Sequence, residues 1–415
     1  MNARRLDIRT TESTLRDLQA RLATTRLPID PAASWDGGTN PAYLRELLDY
    51  WRTGFDWRAQ EIELSRFSHF ITRIDGAHVH YVHERGHGPA PMPIILTHGF
   101  PDSYYRFWEL IPLLVDPASY GGDAEDAFDV VVPSLPGFGY SGPPEADGDI
   151  FHVADRWHTL MTCLGYSHYG AHGGDWGSTI TEHLGRSHAR ACVGIHLTDV
   201  PFWHALRKPH HRSAAEDVYL AAIEKFQMTE GAYAVIQGTR PQTLADAFAD
   251  SPAGLCAWLV DFFTRWSDCD GDIERSFTKD QLLTNVMIYW TTNSFATSCS
   301  PYYDVMHAGP LRIISEVVKQ KLHAKHVPAG FSLFPKDLTH PPREWAERFF
   351  DVKQWTEMPR GGHFTAMEEP QLLAEELRTF FRPLRARLTP IRELAAAHEP
   401  QLWVRDRLAA ADDAV

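Results

Sequence analysis

Long apolar runs are missing from this chain of 415 residues. No window approaches ~18 uninterrupted apolar residues, so no membrane-spanning helix is expected. Met1 leads directly into polar sequence (Asn2, Arg4, Arg5, Asp7, Arg9) without the apolar segment of a signal peptide. Cysteine is scarce. The five (Cys163, Cys192, Cys256, Cys269, Cys299) are odd in number and scattered, and no C-x-x-C pair occurs. That favours a reducing compartment over a disulfide framework or zinc site. Positive charge is in the minority, with 40 Lys+Arg against 54 Asp+Glu for a net charge of −14. No basic run stands out, which argues against nucleic acid or an anionic membrane surface as partner. Internal repeats and low-complexity tracts are absent as well. These absences lead to the expectation of a soluble, cytoplasmic protein. What the chain does have is 44% hydrophobic residues, enough for a sizeable core, and the length for one large α/β domain with insertions or two ordinary domains.

Leu15, Leu18 and Leu22 recur at helical spacing within 11–25, and Leu44, Leu47, Leu48 and Trp51 do so within 41–52. Between them 30–40 reads as a linker rich in Pro and Gly, and 55–71 as an aromatic and charged lasso packed on the core. His78, His80 and His83 could be mistaken for a metal cluster. Alternation splits them between two strand faces with no carboxylate or Cys nearby, so the segment is expected to be an edge strand. Apolar runs at 92–98, 128–132 and 192–197 and the short aromatic stretch 166–171, with helical patterns between them, predict a buried parallel sheet. Gly137-Phe138-Gly139 lacks the third glycine of a phosphate-binding loop and is followed by Pro143 and Pro144 instead of a helix, so it is not expected to bind phosphate. From Pro201 to about Gly309 the pattern is helical, with candidates at 220–227, 232–237, 243–248, 254–266 and 281–292. Strands return at 327–334 and 352–358, and a helix closes the pattern at 370–384. An all-helical block between two halves of a βα pattern reads as a lid.

The stretch 166–178 carries the chemistry. Gly173, Gly174 and Gly177 flank Asp175 at the junction of a strand and a helix, the pattern of a nucleophile elbow. A carboxylate at its tip needs no proton removed before it attacks, and suits displacement at an sp³ carbon to leave an alkyl ester. Further on, Asp337 follows a strand and His363 follows the last strand. Singly these read as a helix cap and a loop histidine. Jointly, at three strand ends and in the order nucleophile, acid, histidine, they predict an α/β-hydrolase fold with a mainly parallel sheet. The strand ending in His98-Gly99-Phe100 is expected to supply one oxyanion-hole N–H from Phe100, with Trp176 supplying another.

With those residues in view, the chain resembles the epoxide hydrolases of the microsomal type over most of its length. The matching segments are 55–58 (Phe-Asp-Trp-Arg), 66–70 (Arg-Phe-Ser-His-Phe), 98–103 (His-Gly-Phe-Pro-Asp-Ser), 173–178 (Gly-Gly-Asp-Trp-Gly-Ser), 238–243, 250–254, 334–338 and 361–364. Asp-Trp-Gly alone is weak, since haloalkane dehalogenases look similar there; the set is specific. Two departures stand out. The family's usual loop reads His-Gly-Trp-Pro-Gly-Ser, where this chain has Phe100 and Asp102, and no N-terminal membrane anchor precedes the match.

The resemblance implies a covalent route from an epoxide and water to a vicinal diol, with no metal or organic cofactor. It also implies two lid tyrosines that donate to the ring oxygen, Tyr233 and Tyr302, with Tyr303 one residue away as the competitor for the second role. Phe100, Trp176 and Tyr303 are expected to contact substrate. The expected organisation is an N-terminal extension at 1–75, the first core half at 76–200, the lid at 201–309, the second core half at 310–385 and a helical tail at 386–415. That tail would wrap the surface or a partner subunit, which leaves a homodimer open. The rival readings are a haloalkane dehalogenase, which would have no use for two phenols above the nucleophile, and a non-catalytic binding module on the same fold.

Overall fold

The computed structural model describes residues 3–28, 34–144, 150, 152–206, 209–307 and 327–388. Its strands are β1 (Arg4–Arg5), β2 (His69–Ile74), β3 (Ala77–Glu84), β4 (Met92–Thr97), β5 (Phe128–Pro133), β6 (Tyr169–Gly173), β7 (Cys192–Leu197), β8 (Pro328–Leu333) and β9 (Asp351–Glu357). Among the described residues they form one nine-stranded sheet in the order β1-β2-β3-β5-β4-β6-β7-β8-β9. The pairs from β5 through β9 are parallel, and the β1, β2 and β3 pairs are antiparallel. Every residue of β4 and β5 is buried, as expected where helices cover both faces. In β7, a Cβ built on Gly194 would touch Leu384 and Phe380, while the next residue, Ile195, lies against Gly185 of helix α6 (Trp176–Ser187). Strand alternation therefore puts α6 and the helix Pro370–Phe381 on opposite faces.

The segment read as an edge strand is not one. β3 lies between β2 and β5 and pairs with both. His80 is fully buried there, with Nε2 on His69 Nδ1 at 2.9 Å and Nδ1 on Ser134 Oγ at 2.8 Å, so its nitrogens are committed to the core. The N-terminal stretch also does more than lie on the core. Besides α1 (Glu12–Ala23), α2 (Pro41–Thr53) and α3 (Trp57–Leu64), it contributes β1 and β2 to the sheet.

Between β7 and β8 the described chain is helical: α7 (Ala214–Thr229), α8 (Ala232–Thr239), α9 (Pro241–Asp250), α10 (Pro252–Arg265), α11 (Lys279–Thr292), α12 (Phe295–Ser298) and α13 (Ser300–His307). Local sequence starts these helices. Ser213 with Glu216 and Thr278 with Gln281 form reciprocal capping boxes, and Ser251 caps α10 with Pro252 in its first turn. The short α12 and α13 offered too few turns for a periodic signal. The N-terminal helices grip this cap: Arg21 Nη1 donates to the Asp250 carbonyl at 2.7 Å and Tyr50 Oη to Asp280 Oδ1 at 2.7 Å. No helix among the described residues is long and apolar enough to cross a membrane. The expected C-terminal tail lies outside the described residues from 389 onward.

Candidate active site

β6 runs two residues further than expected from sequence, and α6 begins two residues sooner, so only Gly174 and Asp175 form the corner between them. Its backbone is at φ 58° and ψ −128°, a region that costs a non-glycine residue ~1–3 kcal/mol. Small neighbours make the corner fit. A Cβ on Gly173 would lie 2.3 Å from the Gly177 carbonyl oxygen, one on Gly177 2.0 Å from the Thr97 oxygen, and one on Gly99 2.3 Å from Asp175 Oδ1. The glycines thus let β4, the corner and α6 meet without side chains between them.

The loop after β4 holds the nucleophile's first oxygen: the Phe100 backbone N–H donates to Asp175 Oδ1 at 3.0 Å. Trp176 opens α6, so its N–H is among those without an intrahelical acceptor. Asp102, one of the two departures from the usual loop, accepts from Gly99 N–H at 3.1 Å and from Arg106 Nη1. The Tyr289 hydroxyl on α11 donates to the Asp102 carbonyl at 2.9 Å, and Asn285 Nδ2 to the Pro101 carbonyl at 2.9 Å. The loop is therefore tied to both core and cap.

His363 reaches the other oxygen. Its Nε2 stands 3.6 Å from Asp175 Oδ2, and its Nδ1 is 2.7 Å from Asp337 Oδ1. Its backbone N–H donates to the Trp266 carbonyl at 2.7 Å, which carries the base loop onto the end of α10 at the edge of the cap. Arg106 Nη2 donates to the His363 carbonyl. Glu368 pins the same loop from the other side, accepting from Gly362 N–H at 3.0 Å, Phe364 N–H at 2.9 Å and Asp268 N–H at 2.7 Å. Burial works against a charged imidazole at His363, but the Asp337 charge and the contacts to Asp175 and Asp337 outweigh it and hold the group up at about 10. Burial likewise disfavours the Asp337 carboxylate, yet His363 and the Leu338 N–H keep it below the usual range.

The two expected tyrosines come together above this cluster. Tyr302, from α13, packs edge-on against Trp176 with ring centroids 5.0 Å apart and against Phe100 at 5.6 Å. Tyr233, from α8, lies 5.7 Å from Tyr302 and 6.1 Å from Phe100 between centroids, and is backed by Phe262 and Trp266. The Tyr302 hydroxyl lies near the Tyr233 hydroxyl and the Trp176 indole without a well-formed bond to either. Burial and the nearby Asp175 charge push both phenols upward, keeping them protonated donors. Tyr303, expected to contact substrate, is instead 43% exposed, with its ring stacked on His307 at 3.9 Å. Helix phase separates the neighbours: on α13 Tyr302 points inward and Tyr303 outward.

The sequence reading passed over Arg106, Glu368 and Asp199. Glu368 acts on backbone N–H groups and Arg106 reaches the His363 carbonyl, contacts for which sequence carries no signal, although the pairing of Arg106 with Asp102 is local. Asp199, just after β7, is at a strand end like the other site residues, and that position was the available clue.

Residues 3–107 match the family described as epoxide hydrolase N terminus, and residues 92–238 match the alpha/beta hydrolase fold. A Stigmatella aurantiaca (strain DW4/3-1) protein, whose epoxide hydrolase name is an assignment, is 41% identical over 379 residues, covering 91% of this chain and 84% of its own. Epoxide hydrolase 1 of Sus scrofa is 33% identical over 402 residues, covering 90% and 87%. The chain belongs to the epoxide hydrolase family. As an epoxide hydrolase it adds water to an epoxide to give a vicinal diol. The solved epoxide hydrolase of Aspergillus niger superposes with a TM-score of 0.79 at 28% identity, covering 92% of this chain and 97% of that one. The juvenile hormone epoxide hydrolase of Bombyx mori gives 0.78 at 25% identity, covering 93% and 94%.

Proposed function

We propose that this epoxide hydrolase works through a covalent ester on Asp175. In the first step Asp175 Oδ2 attacks an epoxide carbon and the ring C–O bond breaks. The released oxygen takes a proton from Tyr233 or Tyr302, leaving a hydroxyalkyl ester and a tyrosinate. In the second step His363 Nε2, having lost its proton to solvent once esterification removed the Asp175 charge that favoured its imidazolium, removes a proton from water as the water oxygen attacks the Asp175 carboxyl carbon. The oxyanion that forms is held by the backbone N–H groups of Phe100 and Trp176, each worth ~3 kcal/mol in such sites. The ester C–O bond then breaks, and the diol oxygen takes the proton from His363. The added water leaves one further proton on the carboxyl group, which restores the tyrosine. Asp337 stabilises the imidazolium meanwhile.

One observation carries this reading: one Asp175 oxygen accepts from Phe100 N–H at 3.0 Å while the other lies 3.6 Å from His363 Nε2, itself bonded to Asp337. The nucleophile, its oxyanion donor and its base are thus converged on one carboxyl group. The test is His363→Gln with an aryl epoxide in a single turnover. The variant is expected to form the ester and stall, adding the mass of one epoxide to the protein at Asp175. An unmodified protein after exposure, with diol still forming, would overturn the two-step route. The five cysteines are unpaired and four of them buried, which supports a reducing, cytoplasmic setting for the reaction.

A further inference from the structure

A third carboxylate stands behind the nucleophile. Asp199 Oδ1 accepts the Asp175 backbone N–H at 3.2 Å and also accepts the Ser178 hydroxyl, so one oxygen bridges the strained corner and the first turn of α6. Asp337 and His363 face it from the loops after β8 and β9, and both act electrostatically on it, as does Asp175. Tyr219 on α7 senses its charge. Arg106 reaches toward the same corner, where a Cβ on Gly174 would lie 3.3 Å from Nη2 and 2.5 Å from Thr198 Oγ1. A neutral amide could accept both bonds. A carboxylate adds a negative charge to a site already holding Asp175 and Asp337 around one imidazole.

That charge matters most in the second half of the cycle, and here the argument rests on the covalent route above. Once Asp175 is esterified its own charge is gone. His363 must then become an imidazolium with only Asp337 in contact, and Asp199 is a nearby carboxyl group that acts on its charge, beside Glu368 on the loop's other side and the tyrosinate left by the first step. We propose that Asp199 is a positioning residue that braces the strained Asp175 corner and whose negative charge, acting through His363, promotes hydrolysis of the ester. Burial, together with the Asp337 charge, pushes Asp199 up to about 7, so its charge changes in the neutral range. Ester hydrolysis therefore gains an acid limb near neutrality to which Asp199 contributes beside Glu368, also raised to about 7, and the titration of His363; the part lost on replacing Asp199 is its own.

The experiment measures ester formation and ester hydrolysis separately by rapid quench, across pH, in the full chain. Asp199→Asn keeps an acceptor oxygen for both donors and removes the charge. It is expected to form ester at close to the wild-type rate, to hydrolyse it about tenfold more slowly at its plateau, and to lose the Asp199 limb. Ser178→Ala removes a hydrogen bond that favours the ionised carboxyl, and should move that limb to higher pH. Its small, buried change also keeps the test available if Asp199→Asn does not fold. Unchanged hydrolysis rates and limbs in the variants would overturn the proposal, reducing Asp199 to a backbone brace. Failure of the covalent route itself would look different: no ester in wild type or in His363→Gln.

Discussion

Asp175 occupies a backbone conformation that only its surroundings can maintain, and each neighbouring residue answers a need created by putting a carboxylate there. An ionised nucleophile requires no base for its attack, so His363 is free to serve the water step. An epoxide oxygen leaving as alkoxide requires an acid, and on the proposed route the buried, protonated phenols of Tyr233 and Tyr302 supply it. Replacing both tyrosines with Phe should slow ester formation ~10²–10⁴-fold, the usual worth of general acid catalysis. Hydrolysis of preformed ester should change far less. Single-turnover rates check this, and an unchanged ring-opening rate would remove both phenols from the mechanism. Tyr303→Phe should leave ester formation untouched, because that ring stacks on His307.

At the scale of elements, the site is a meeting of β4, β6 and α6 so close that glycine is a steric requirement. Gly177→Ala would drive a methyl group to 2.0 Å from the Thr97 carbonyl oxygen, which is backbone and cannot rotate aside. Overpacking of this kind costs ~1–3 kcal/mol, and here it would also displace the first turn of α6 from the nucleophile. A lower melting temperature together with lost ester formation is expected; retention of both would show that the corner has slack. The elbow was legible in sequence because its three glycines are packed into the five residues 173–177. Its boundaries were not: Tyr166 to Ala171 looked like the strand, whereas β6 is Tyr169–Gly173, set by pairing with β4 and β7. The edge assignment of β3 failed for a related reason. Alternation reports which face a residue takes, but the neighbour of a strand is decided by chain topology.

For the whole molecule, the histidines of the core couple folding to pH. His69 and His83 are held down to about 4 and His196 to about 3, with burial as the leading cause, and burial lowers His80 and His172 as well. Below the ordinary histidine value of 6.5 the unfolded chain takes up protons that these native sites refuse. Their contribution to stability is therefore complete above pH 6.5 and declines as pH falls toward 4, by about 1.4 kcal/mol per pKa unit at each site. Asp199 and Glu368, both raised to about 7, and Asp261, raised to about 6, act in the opposite sense over that window, since their native forms hold protons that the unfolded chain releases. His363, raised to about 10, also favours the native state at low pH, and its contribution is lost as pH rises through 10. Burial lowers His98 in the same way, and together the lowered histidines outweigh these four groups, so the melting temperature should drop between pH 7 and pH 5. A flat or rising melting temperature across that interval would contradict the balance.

The chemistry of this epoxide hydrolase was local enough to be written in the sequence. The elbow glycines around Asp175 and the helical block between two runs of strands depend on residues near one another in the chain, and the order Asp175, Asp337, His363 is legible because each follows a strand of its own. Tertiary structure alone decided which groups would meet across it. It chose Tyr302 over Tyr303 by the phase of α13, seated β3 inside the sheet, bound the base loop to the cap through Trp266 and Glu368, and brought Asp199 behind the nucleophile. The physical reason is range. Spacing along a chain reports periodicity and turns, whereas the charge a side chain feels and the face it buries depend on partners up to hundreds of residues away.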